Sequence, residues 1–426
     1  MTKDMTEGAI PPLLVGFTIP LVLGNLFQLF YNAVDSMIVG KFVGETALAA
    51  VGTSSPLMTL AILFISGMCM GAGVLMGMHY GAKDYDVLER QISSTMIGGL
   101  VFSVLLSAVC IFLTPWLLRL IRTQEEVLPI ATGYLRIIFC GLIFTFIYNF
   151  YASTLRALGD SRSPLYFLMI SAALNVAGDL FFVVVLGWGS NGCAFSTVLS
   201  EALCCLLCGL YIKKKVKILC LGRKWRVFDR RLFYKTVQFG RVSAMQQATV
   251  QLGKIGIQAI VNTMGISVMA AFAVVNRIDD FAYTPEQNIA HAMTALLAQN
   301  KGAGKKERIR EGFRCGLWIE MIYALFICVV CFVFARPLMQ LFVSAEEGAV
   351  IVEGDRYLRI EGSCYAGIGC LFLLYGFYRA VERPGMSVVL TVVSLGTRVV
   401  LAYALAGPVG EVGVWVSIPI GWVLAD

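Results

Sequence analysis

The stretch FVGETALAAVG at 42–52 returns in outline as TMGISVMAAFA at 263–273. Gly44 falls on Gly265, Ala49-Ala50 on Ala270-Ala271, and farther along Gly81-Ala82 on Gly302-Ala303, every pair 221 positions apart. Arg156-Ala157 then meets Arg379-Ala380 at a spacing of 223, and Pro164 meets Pro384 at 220. Small residues coincide easily by chance. Here they share a spacing and fall at corresponding ends of apolar runs, so the chain reads as a duplication.

The runs themselves set the fold class. Of 426 residues 58% are hydrophobic and 14% charged, and the mean hydropathy is +0.78. A soluble chain of this length lacks the polar residues to cover its outside, whereas lipid solvates an apolar one. Runs of about 20 apolar residues read as spanning helices. They lie near 13–40, 48–78, 94–118, 128–152, 165–187, 192–212, 236–262, 266–298, 314–338, 356–379, 386–407 and 409–426. The expectation is an all-α integral membrane protein of twelve spans in two six-helix halves: residues 1–212, a basic loop at 213–235, and residues 236–426.

Charge orients the spans. Lys213, Lys214, Lys215, Lys217, Arg223, Lys224, Arg226, Arg230, Arg231 and Lys235 follow the sixth run, and Lys301, Lys305, Lys306, Arg308, Arg310 and Arg314 the eighth. The loops after the fifth, seventh and eleventh runs hold neither Lys nor Arg. The positive-inside rule puts both termini and the 213–235 loop in the cytoplasm of a multi-pass protein of the cell membrane. The net charge of +7 therefore reads as loop charge and not as a nucleic-acid surface. With an even number of helices each half enters from the same side. The halves are then related by an axis along the membrane normal, with a solute path between them.

Other classes lack their signatures. The segment Met1–Pro12 shows no secretory cleavage pattern. Thirteen cysteines, including the C-x-x-C pairs Cys205/Cys208 and Cys328/Cys331, face only two histidines (His79, His291), and read as small packing residues of apolar helices. No P-loop, no His-Glu-x-x-His and no paired Asp-rich motif is present, so neither ATP drive nor intramembrane catalysis is expected.

Ionisable residues at membrane depth are costly and mark pathways. Asp35 lies about 22 residues into the first run and Asp179 about 14 into the fifth, which at 1.5 Å per residue places both in the middle or outer half of the bilayer. Asn175 is one turn before Asp179 on the same face, and Thr197 is near the outer end of the sixth run. These depths allow one polar pocket. Its oxygens suit Na⁺, and closely spaced carboxyls in low dielectric suit protons; a hydrogen-bonded packing cluster is the alternative. The eighth run is the polar one of the second half, with Arg277, Asp279, Asp280, Glu286 and His291, and Pro285 available to kink it. Asp280 and Glu286 read either as attractors of a cationic substrate or as partners of Arg277, Lys254 or Arg398. The many Phe, Tyr and Met side chains suit an adaptable cavity as well as an ordinary lipid-facing surface.

The series Pro20, Asn25, Gln28, Tyr31-Asn32-Ala33-Val34-Asp35, Val39-Gly40 and Ala47-Leu48-Ala49-Ala50-Val51-Gly52 resembles the start of multidrug and toxin extrusion (MATE) transporters, of the bacterial NorM- and DinF-like kind. Tyr80-Gly81-Ala82, Leu155–Asp160, Arg277–Phe281 and Ala298–Gly304 are similar to later family motifs, and the resemblance covers essentially the whole chain. It implies two six-helix bundles around a V-shaped cavity. The implied activity is export of cationic amphiphiles by antiport with Na⁺ or H⁺, by a monomer needing no cofactor beyond that ion. It also implies a first-lobe cation site at Asp35, Asn175 and Asp179, with Thr197 beside it; Asp280, Glu286, Gln28 and Asn32 are candidate residues of a substrate cavity. A related flippase of lipid-linked precursors or polysaccharide units is the alternative. Some family members bind Na⁺ through acids of helices 7 and 10; here 236–262 carries Lys254 and no acid, and helix 10 has only Glu361. The resemblance therefore supplies no second-half site of that kind.

Overall fold

A computed structural model describes residues 3–216, 227–344 and 346–426. The described residues form helices and no strand, as a chain in lipid must if its backbone polar groups are to be satisfied within each segment. The first half comprises α1 (Ile10–Phe42), α2 (Glu45–Gly81), α3 (Tyr85–Leu120), α4 (Leu128–Ala157), α5 (Arg162–Asp179), a π-helical turn (Leu180–Val185) and α6 (Gly189–Lys215). The second comprises α7 (Arg230–Val261), α8 (Ile266–Gly302), α9 (Lys306–Val333), the short α10 (Ala335–Gln340), α11 (Gly348–Gly362), α12 (Tyr365–Ala380), α13 (Pro384–Val409) and α14 (Glu411–Val423).

All twelve apolar runs fall on helix. Among the described residues eight helices are long and apolar enough to span a membrane, and α11 with α12, bent by 51° at their junction, makes nine. The others fall short for visible reasons: α14 has 13 residues, while α7 and α8, at 32 and 37 residues, carry charges along their length. Outward residues are apolar where water would demand otherwise, as with Phe112 and Trp116 on α3 and Trp318 and Leu325 on α9. The twelve described cysteines are free thiols. Of the loop expected at 213–235, residues 217–226, with Lys217, Arg223, Lys224 and Arg226, lie outside the described residues.

The duplication is visible in backbone angles. Gly44 (φ 110, ψ 178) and Gly265 (φ 104, ψ 165) begin α2 and α8, which are 37 residues each. These angles belong to a region almost restricted to glycine, which is why that residue marks both turns. Lys83 (φ 58) corresponds to Gly304 (φ 70), and Gly159 (φ 83) to Glu382 (φ 64). Asp84 (φ −87, ψ 75) opens α3 as Lys305 (φ −83, ψ 75) opens α9.

The chain divides into two compact units, one of Met1–Asp4 with Ile19–Ala244 and the other of Met5–Thr18 with Met245–Asp426. One change-over thus falls before α1, at Asp4/Met5, and the other two fall inside α1 and α7. In the first unit Phe139, Phe146 and Phe150 of α4 sit in the core against α2, α3 and α6. In the second, Phe272, Tyr357 and Trp415 stack, the latter two rings 4.1 Å apart, where α8, α11 and α14 meet.

Candidate cation-binding site

Three helices of the first unit build the site. α5 presents Asn175 and Asp179 four residues apart, hence on one face, and both are buried, Asp179 completely. Immediately after Asp179 the helix widens into the π-turn 180–185, an irregularity that often marks functional positions. α6 presents Cys193, Thr197 and Glu201 at the same four-residue interval. α1 contributes Asp35, half-buried. α5 and α6 approach closely at Gly178, where any larger side chain would run into Ser196.

The four residues expected to converge do so. Asn175 Nδ2 donates to Thr197 Oγ1 at 3.2 Å, and the Cys193 thiol donates to Asp35 Oδ1 at 2.8 Å. Thr197 in turn donates to the Cys193 carbonyl at 3.1 Å, and Ser196 to the Asn175 carbonyl at 2.8 Å. One ligand atom each of Asp35, Asp179 and Cys193 lie within 4.8 Å of one another. Both carboxyl oxygens of Asp179 and Oδ1 of Asn175 are buried without a hydrogen-bond partner among the described residues. Three acceptor oxygens thus remain unfilled beside a second carboxyl. An acceptor-rich, donor-poor cluster of this kind has the chemistry to hold a cation or a proton. The oxygens suit Na⁺; the thiol, a soft and here donating group, adds little to a hard ion.

Two polar groups of α6 escaped the sequence reading. Cys193 is a hydrogen-bond donor and not merely packing, and Glu201 accepts from Thr145 Oγ1 at 2.6 Å. Their four-residue steps from Thr197 were the available signal. Gln28 and Asn32, on the same helix as Asp35, are exposed.

In the second unit the eighth run divides its acids differently from expectation. Asp280 is exposed, with Lys254 and Arg277 close enough to act on it, whereas Asp279 is buried and accepts from the Tyr365 hydroxyl at 2.6 Å. Glu361 is buried beside it and accepts from the Tyr283 hydroxyl at 2.7 Å. Glu286 is fully enclosed within its own unit, so no bulky ligand reaches it in this conformation. α8 continues through Pro285 as one helix.

The MatE family profile matches residues 20–181 and again 243–404, most of the chain, and in two copies. The chain belongs to the MATE family. It is a multi-pass membrane transporter by that membership, and the double match is the duplication read from Gly44 and Gly265. Among its MATE relatives, the probable multidrug resistance protein YoeA of Bacillus subtilis is 29% identical over 96% of this chain and 90% of its own length. The probable multidrug resistance protein YpnP of the same organism is 30% identical over 92% and 87%. The crystal structure of MATE in complex with MaL6 superposes with a TM-score of 0.93 at 21% identity, covering 100% of this chain and 96% of that one; it shares the fold.

Proposed function

We propose that this protein exports amphiphilic organic cations in exchange for Na⁺ or H⁺, and that the coupling ion binds at Asp35 and Asp179, with Asn175 and Thr197 alongside. The observation that carries this reading is the pair of donorless, buried carboxyl oxygens of Asp179 beside Asp35. Two carboxylates cannot both stay charged and dry at that spacing, so binding and release of a cation change the charge of the cluster. A site of that behaviour couples to transport by alternating access when its occupancy favours one orientation of the transporter over the other. The substrate class is supported by relatives named as multidrug resistance proteins. Gln28 and Asn32 in the first unit, and separately Asp280 in the second, are exposed polar groups available to such a substrate. The reading takes the protein as a monomer of the cell membrane, and the basic residues after α6 and α8 support cytoplasmic termini.

The test is uptake of a fluorescent organic cation by proteoliposomes, with Na⁺ and H⁺ gradients imposed separately. One gradient is expected to drive accumulation, and Asp35→Asn and Asp179→Asn each to reduce it to the gradient-free level. Normal gradient-driven uptake by both variants overturns the coupling site. Binding of lipid pyrophosphates in place of organic cations would instead assign the flippase activity.

A further inference from the structure

The second unit contains a pair of carboxyls that this proposed function does not use. Glu286 on α8 and Glu320 on α9 are both 0% exposed, and none of their four carboxyl oxygens has a hydrogen-bond partner among the described residues. Both belong to the unit Met245–Asp426, where α8, α9 and α12 pack on one another. Glu286 lies close enough to Glu320 to act on its charge. The Glu320 carboxyl is aimed at Gly369 of α12: a Cβ there would stand 2.6 Å from its Oε1 and 3.2 Å from its carboxyl carbon. The space that glycine leaves is the space the carboxyl fills.

The surroundings are titratable but not cationic. Tyr323 of α9 feels both glutamates, and its hydroxyl donates to the Ala282 carbonyl of α8 at 3.1 Å. Cys328 of α9 feels Glu286; Cys370 of α12 feels Glu286, Glu320 and Asp426, which follows α14. His291, farther along α8, is half-buried and has a partner. Among the described residues no lysine or arginine acts on either glutamate.

A buried carboxylate with neither donor nor counter-charge is among the costliest groups a protein can hold. It takes a partner from outside, and the neighbours decide which. A hard metal ion needs several oxygens, and here the flanking groups are two thiols and a phenol already committed to a carbonyl. A proton needs one. We propose that Glu286 and Glu320 form a proton-binding pair within the second unit, separate from the Asp35–Asp179 cluster. Loading it turns two nearby anions into neutral carboxylic acids. Unloading it puts like charges side by side in a dry place.

The experiment is infrared difference spectroscopy of the full-length protein in lipid nanodiscs, titrated across pH, following the carbonyl stretch of protonated carboxyl groups. Glu286→Gln and Glu320→Gln are near-isosteres of the protonated acids. Each is expected to remove one carboxyl's share of the band present at neutral pH, and Asp35→Asn and Asp179→Asn to leave that share in place. The readout does not require transport, so it stands or falls apart from the coupling reading above. If a glutamine variant does not fold, Gly369→Ala, which presses on the Glu320 carboxyl, and Glu286→Asp are read instead; a shifted band supports the pair. A band unchanged in the glutamine variants, or unshifted in their substitutes, overturns it.

Discussion

The two units share their turns and differ at their irregularities. α2 and α8 have the same length and the same opening glycine conformation, and the turns at Lys83 and Gly304 and at Gly159 and Glu382 agree in hand. Yet α4 runs unbroken for 30 residues where the second unit has α11 and α12, bent by 51°. Conversely α5 passes into a π-turn where α13 is one helix of 26 residues. Each departure lies next to a buried carboxyl: Asp179 directly before the π-turn, Glu361 just before the bend. Duplication conserves the frame, and in each copy a break in that frame falls beside one buried carboxyl that lipid would reject.

The two carboxyls differ in how they are held, and that separates their predicted roles. Glu361 accepts from Tyr283, whereas Asp179 accepts from nothing among the described residues. Asp179→Asn is therefore expected to weaken coupling-ion affinity by ~10- to 100-fold, the worth of a charged contact. Glu361→Gln, which keeps an acceptor for Tyr283, is expected to leave that affinity unchanged. Ion titrations of the purified variants check both, and equal losses would erase the distinction. The shared frame is tested by Gly44→Ala and Gly265→Ala. Each forces a Cβ into a glycine-only conformation at a cost of about 1–3 kcal/mol, and thermal unfolding should show matching losses. A loss at one turn alone would mean the copies no longer depend on the same geometry.

Smaller effects follow from local donors. Cys193→Ala removes the hydrogen bond to Asp35 and should change ion affinity by a few-fold, about 1 kcal/mol, while Cys193→Ser should largely restore it. The turn before α5 differs in charge from its counterpart, with Asp160 standing where the second unit has Arg383. Burial opposes ionisation of Asp160, but the Ser163 amide and hydroxyl, donating at 3.0 and 2.7 Å, hold its carboxyl below the usual range. A depressed value stabilises the fold above the ordinary carboxylate range, and the gain is lost as pH falls through the lowered value. Asp160→Asn, which weakens the hydrogen bonds from Ser163, should thus cost about 1 kcal/mol near neutrality and flatten the acid limb of the stability profile.

Much of this was legible in sequence because lipid and repetition impose simple rules. Apolar runs gave the helices, and Asn175 and Asp179 announced a shared face by their spacing. What escaped were choices of rotation and partner. Adjacent residues on a helix point about 100° apart, so Asp279 and Asp280 are indistinguishable by composition, yet one is buried and the other exposed. Glu320 was hidden in a strongly apolar run, although Gly312, Gly316 and Ala324 at four-residue steps mark the buried face it shares. Cys193 looked like packing because a thiol is small and weakly polar. The 51° bend after Gly362 lacks the proline that usually announces such a break.

The central claim is that the Asp35–Asp179 cluster binds an ion whose binding is coupled to that of the substrate. It is tested most directly by adding an organic cation to purified protein in weakly buffered solution and measuring protons or Na⁺ set free. The wild-type protein should release the ion as substrate binds, and Asp179→Asn should bind substrate without release. Equal release from Asp179→Asn would contradict the account.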